Sequence, residues 1–114
     1  MCRAVVTCGE RMKEKIESLA QKNKEYIVEM RREFHKNPEP SLHEVNTAKR
    51  IGEELTAMGI PCVAMADTGV VATIAGARQG KTVALRADID ALRLTEKSDV
   101  PYRSQVDGVM HACV

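Results

Sequence analysis

Apolar side chains at Ile16, Leu19, Ile27, Met30 and Phe34 return at steps of three and four, with Asn23 standing in the same register. That spacing predicts one long amphipathic helix over residues 10–35, broken in its stripe only by the asparagine. Thr7 and Glu10 stand at capping-box spacing ahead of it, and residues 1–9 read as an N-terminal extension. Pro38 and Pro40 end the helix, because neither offers a backbone N–H and each biases the preceding residue away from helical geometry. Ser41 and Glu44 repeat the capping-box spacing, and Val45, Ala48, Ile51, Leu55 and Met58 follow at helical steps. A second helix over 42–58 is expected, with Gly59 as its C′ residue and Pro61 as its stop.

Beyond Pro61 the pattern changes to that of extended chain. Residues 62–66 read as a strand, Asp67-Thr68-Gly69 as a turn and residues 70–75 as a second strand rich in branched side chains. Gly76 to Gly80 reads as a hairpin-type connection into a further strand over 82–87. Residues 94–110 have the composition of a loop longer than ordinary connections, which points to a functional surface or to something incomplete. Two helices followed by a hairpin and a further strand place the chain in the α/β class.

Composition narrows the partners. The 114 residues fit one domain, and the scaling of surface with mass allows roughly two thirds of the unfolded surface to be buried, so an ordinary core is expected. With 44% hydrophobic and 29% charged residues, wholesale disorder is disfavoured. The 17 basic and 16 acidic side chains leave a net charge of +1, too little to concentrate nucleic acid or anionic lipid around the molecule. Aromatic residues stop at Tyr26, Phe34 and Tyr102, so stacking platforms for bases are poorly supplied. No nucleic acid and no membrane are therefore expected as partners, and without a long apolar leader pattern a cytoplasmic location is expected. Cys2, Cys8, Cys62 and Cys113 show no compact spacing, which reads as four free thiols.

Several residues are equipped for chemistry. Asp88 and Asp90 close the 82–87 segment two residues apart, so both carboxylates share a face if the strand continues that far. Such a pair can orient a metal-bound imidazole or bind a cation, or can be a solvated turn. His111 and Cys113 offer an imidazole and a thiolate, both zinc-type ligands, but a catalytic ion takes three protein ligands and a water. The plainer reading is a loop histidine and a buried thiol. His35 ends the first helix, where it reads as a local hydrogen-bonding or dipole-compensating residue, and His43 reads as solvent-facing. The basic side of the first helix, Lys22, Lys24, Arg31, Arg32 and Lys36, is interleaved with Glu25, Glu29 and Glu33, a solvated face. No GxGxxG, Walker A, HExxH or GxSxG pattern occurs, so nucleotide handling lacks support.

Four ordered blocks, residues 31–41, 69–74, 83–92 and 101–113, together resemble the N-terminal part of the M20 metallopeptidase family, in its hippurate hydrolase-like amidohydrolase branch. The resemblance implies that residues 10–114 are a truncated front part of a zinc-peptidase-like α/β/α catalytic domain. It also implies metal-dependent hydrolysis of the amide bond of N-acyl amino acids, with zinc, manganese, cobalt or nickel as the ion. By the same resemblance Cys113 is a metal ligand, Asp90 a supporting residue of the catalytic site, and Asp88 and His111 belong to the site neighbourhood. In the family the cysteine is followed by Gly-His-Asp, whereas here Val114 follows and ends the sequence. The next ligand histidine and the catalytic glutamate are thus outside these residues, and the 114 residues alone are expected to be inactive. Arg93 stands where the branch usually has proline. Homo-oligomerisation through absent or exposed regions fits the resemblance, and the alternative function is a noncatalytic small protein or subunit that retains the framework for partner binding.

Overall fold

The computed structural model describes residues 8–112. Three helices precede a two-stranded antiparallel sheet: α1 (Cys8–Lys22), α2 (Lys24–Lys36), α3 (Val45–Ala57), β1 (Cys62–Met65) and β2 (Gly69–Ala72). The chain divides into two units, Met1–Glu33 and Phe34–Val114. Thr7, Cys2, Cys113 and the expected extension up to residue 7 lie outside the described residues.

In the first unit, the single helix expected over 10–35 is two, and it begins at Cys8. The interruption is Asn23. Its side-chain amide donates to the Leu19 carbonyl at 2.8 Å, the same oxygen that accepts the Asn23 backbone N–H at 3.1 Å. An asparagine in a helix interior competes in this way for local backbone groups. The ladder nonetheless continues from Ile27 N–H to the Asn23 carbonyl at 3.0 Å, so the break is one residue of turn rather than a reversal. Met12, Ile16, Leu19 and Ile27, the apolar stripe of this stretch, are exposed.

In the second unit, α3 starts at Val45, not at 42, and the expected Ser41/Glu44 capping box does not form. Glu44 occupies the N-cap position without a side-chain cap, because its carboxylate accepts the Thr68 hydroxyl at 2.8 Å. Ser41 instead sits in a turn closed by His43 N–H to the Pro40 carbonyl at 3.0 Å, with Leu42 at φ 66°. Glu39 supplies the cap from seven and eight residues upstream. Its carboxylate accepts Asn46 N–H at 3.2 Å, Asn46 Nδ2 at 2.7 Å, Thr47 N–H at 2.7 Å and Thr47 Oγ1 at 2.8 Å. Burial pushes the Glu39 carboxyl up, but the donors of Thr47 and Asn46 outweigh it and hold the group below its ordinary value. A negative charge at the head of a helix also complements the helix dipole.

The other end of α3 forms as the sequence predicts. Gly59 adopts φ 71°, its N–H reaches the Thr56 carbonyl at 2.9 Å, and Ile60 N–H reaches Leu55 at 2.8 Å. These are the paired bonds of a Schellman motif, which needs a left-handed residue at C′. The chain then enters the hairpin, paired Cys62 with Ala72, Val63 with Val71, Ala64 with Val70 and Met65 with Gly69. Its turn falls on residues 66–68, with Ala66 and Asp67 at φ 52° and 65°, so β2 begins at Gly69 and ends at Ala72 rather than covering 70–75. A Cβ on Gly69 would lie 2.5 Å from the Met65 carbonyl oxygen, which explains a glycine opening this strand. The hairpin packs against α3.

The expected further strand over 82–87 is not formed, nor is a hairpin through residues 76–80. Val83 and Leu85 are 81% and 96% exposed. Alternation and branching describe a segment fit for a pleated surface, but only pairing with a neighbour makes it a strand. Residues 94–110, expected as open loop, fold into successive turns closed by Arg103 N–H to Val100 at 3.0 Å and Val109 N–H to Val106 at 3.3 Å, with Gly108 at φ 69°. The ordinary apolar core expected from chain length is also absent among the described residues. The buried hydrophobic residues are Ala91 and Val109, joined by Pro38, and beside them lie His35, Glu44, Thr47 and Glu96. Apolar side chains such as Ile74, Val83 and Leu85 stay exposed instead.

Two substitutions probe the ends of α3. Gly59→Ala forces a Cβ into the left-handed region and is expected to cost roughly 1 kcal/mol. Glu39→Ala removes the upstream cap at a cost of about 1 kcal/mol. Both are read as a lower urea midpoint at unchanged slope, and an unmoved midpoint in Glu39→Ala would remove its capping role.

Candidate functional site

The candidate site is organised by three short backbone segments lying side by side. Ala91 pairs in parallel with Pro40, donating its N–H to the Glu39 carbonyl at 2.8 Å. Leu92 pairs antiparallel with Met110 through two reciprocal bonds, Leu92 N–H to Met110 at 2.9 Å and Met110 N–H to Leu92 at 3.0 Å. Counting outward from an antiparallel pair sets Ala91 level with His111 and Asp90 level with Ala112. Two residues picked out in the sequence, Asp90 and His111, are thereby brought to one end of the same pairing, although 21 positions separate them in the chain. Asp90 is half-buried.

Asp88 is placed differently. It lies outside any strand, its side chain is 70% exposed, and Oδ1 accepts Arg86 Nε at 3.1 Å and Nη2 at 2.8 Å. The shared strand face expected for Asp88 and Asp90 fails with the strand that was to carry it. His43 is exposed, as expected.

Joined to the pairing through Ser104 and Val109 is a polar knot that sequence reasoning missed. His35, in the last turn of α2, is buried, and its Nε2 lies 3.1 Å from both oxygens of Glu96. The local role expected of His35 is replaced by one across 61 residues of chain. Glu96 is 5% exposed and also accepts the Ser98 hydroxyl and, at 2.7 Å, the Ser104 backbone N–H. Arg103 Nη2 donates to the Glu96 carbonyl at 2.6 Å. Ser104 extends the knot, because its Oγ donates to the Val109 carbonyl at 2.7 Å. Around His35, the Tyr102 ring stands edge-on at 5.7 Å and the His111 ring lies at 6.4 Å with a 40° tilt. Gln105 N–H closes the assembly on the Lys36 carbonyl at 2.9 Å. No local pattern marks Glu96, since serines and acids are common in any polar loop and its histidine partner is distant.

The donors fix the state of the acid. Ser104 N–H and the Ser98 hydroxyl draw the Glu96 carboxyl down, burial opposes them, and His35 adds to the lowering, bringing it to about 2. At neutral pH Glu96 is therefore ionised and can only accept, so His35 Nε2 carries the hydrogen. Among the described residues no group of three or more His, Cys, Asp or Glu side chains is placed to hold a metal ion. They do not make a metal site by themselves, and Cys113, the ligand that the family resemblance implies, lies outside them.

No family model matches the chain. Individual proteins do. The chain is 51% identical over 89 residues to an uncharacterized hydrolase of Staphylococcus saprophyticus, covering 78% of this chain and 23% of that protein. It is 45% identical over 102 residues to thermostable carboxypeptidase 2 of Saccharolobus solfataricus, covering 88% and 26%. Among solved structures, a dinuclear metal-binding peptidase of the M20 family from Bacillus subtilis aligns with a TM-score of 0.73 at 43% identity, over 77% of this chain and 25% of that one. The chain thus spans about a quarter of the length of the curated relatives it matches. It resembles M20-type metallopeptidases and amidohydrolases over an N-terminal part of their larger domain. Its helices and hairpin are an α/β arrangement matching part of an M20-like α/β/α domain.

Acid should dismantle the knot in a predictable direction. A carboxyl lowered by folding contributes stability that is complete above its ordinary value of 4.5 and is lost as pH falls from there toward about 2. Urea midpoints measured down that range are expected to fall, and Glu96→Gln is expected to flatten this part of the profile. An identical profile in the variant would show that Glu96 does not carry it.

Proposed function

We propose that these residues are the front part of the catalytic domain of a metal-dependent M20-type amidohydrolase that cleaves the amide bond of N-acyl amino acids. The observation that carries this reading is the Leu92–Met110 pairing, which brings the Asp90 corner against the segment entering Cys113. The pairing supports the reading because it sets Asp90 level with Ala112, one residue beyond His111. In this reading Asp90 supports the site, His111 and Asp88 belong to its surroundings and Cys113 is a metal ligand.

Substrate chemistry supports the same class. The C-terminal residue of a peptide is itself an N-acylated amino acid with a free carboxylate. A relative named as a carboxypeptidase and an N-acyl amino acid hydrolase therefore address one kind of bond, and hippurate, a benzoylated glycine, is its simplest aromatic form. The ion in this reading is zinc, manganese, cobalt or nickel, with the thiolate of Cys113 favouring zinc. A catalytic ion takes three protein ligands, and the family's next ligand histidine and catalytic glutamate are not among these 114 residues, so the isolated 114 residues are expected to be inactive. No helix of the described residues is long and apolar enough to cross a membrane.

Two assays test the reading. Residues 1–114, supplied in turn with each of the four ions, are expected to hydrolyse hippurate or N-acetyl amino acids no faster than a Cys113→Ala control; turnover above that control overturns the expected inactivity. The native protein, captured from its cells with an antibody against residues 12–40, is expected to release free amino acid from these substrates and to stop when its metal is chelated. Capture of a protein without amide turnover on metal addition would sink the proposed function.

A further inference from the structure

We propose that His35 and Glu96 are positioning residues: the pair sets the plane of the His111 imidazole and the path of residues 109–112 beside Asp90. The inference rests on the hydrolase reading for the purpose of that positioning, but the coupling itself stands on geometry alone.

Three observations carry it. First, the His35 ring is not free to turn, because Nε2 is held 3.1 Å from both Glu96 oxygens and the Tyr102 ring closes one side edge-on. The His111 ring, at 6.4 Å and 40°, therefore packs against a surface whose orientation is fixed. Second, Glu96 is tied to the same segment by another route. Its carboxylate accepts Ser104 N–H, and the Ser104 hydroxyl donates to Val109, next to the residue paired with Leu92. One carboxylate thus constrains both the side chain at 111 and the backbone at 109. Third, a buried carboxylate held by an imidazole is a costly way to fill space, since apolar side chains of similar size generally stabilise as well or better. What a hydrogen-bonded pair supplies that an apolar one lacks is direction.

The test is made on the isotopically labelled 114-residue chain, with the ring nitrogens of His111 observed by NMR and amide exchange followed at Leu92 and Met110. Glu96→Gln keeps the shape of the side chain and the His35 ring but removes the charge. It is expected to displace the His111 ring resonances and to speed exchange at Leu92 and Met110 roughly tenfold, the scale of one lost hydrogen bond. Gly59→Ala, which weakens the chain at the far end of α3, is the control and is expected to leave the His111 resonances in place. Should Glu96→Gln fail to fold, Ser104→Ala leaves the backbone donor to Glu96 in place, removes the hydroxyl's links to Val109 and Val106, and is expected to move the same signals in the same sense. Unmoved His111 resonances in the folded variants, or equal displacement in Gly59→Ala, would overturn the proposal. Neither readout needs turnover, so a coupled but non-hydrolytic protein would defeat the proposed function alone, and an active but uncoupled one would defeat this inference alone.

Discussion

A carboxylate withdrawn from water has to be met by donors or give up its charge, and that requirement at Glu96 shapes the second unit more than any apolar contact does. Its donors come from the end of α2, from two residues along the chain and from beyond the turn at 100–103. Satisfying one charge therefore gathers three stretches of chain that have little apolar surface to hold them. The same logic recurs at Glu39, where four donors converge on one carboxylate and fix the head of α3 against the turn after α2. Ala91 and Val109 are buried, the one small and the other branched, and supply little apolar area by comparison.

How much of this was legible in the sequence depends on the distance over which each feature is decided. The end of α3 was legible because Gly59 acts within six residues. Its beginning was not, because Ser41 and Glu44 have the right spacing for a cap and yet Glu44 is claimed by Thr68, 24 residues away, while Glu39 takes the vacated task. The break at Asn23 was visible as a polar interruption, though the pattern continues through it. Residues 82–87 show the opposite failure: alternation is a property of the segment, pairing a property of its neighbours, and only the first is written locally.

The candidate site divides in the same way. Cys113, His111 and Asp90 are proposed through resemblance across ordered blocks, and no spacing rule alone would have joined residues 90 and 111. Glu96 escaped because nothing near it in sequence distinguishes it from an ordinary loop acid, and His35 was read locally because the tail of a helix is a plausible place for an imidazole. The chemistry-bearing residues were thus legible as types, and the residues that hold them in place were not.

The spans of these contacts also set an order of events. The Gly59 cap, the hairpin and their packing on α3 lie within residues 45–72, so loop closure is cheap and this part can take shape while the rest of the chain is still being synthesised. The knot joins residues 35 and 96 and gains its last members only when residues 104–111 have left the ribosome. During that interval His35 waits at the end of a finished helix without its acid, and the polypeptide carries a completed edge and an unfinished site at once.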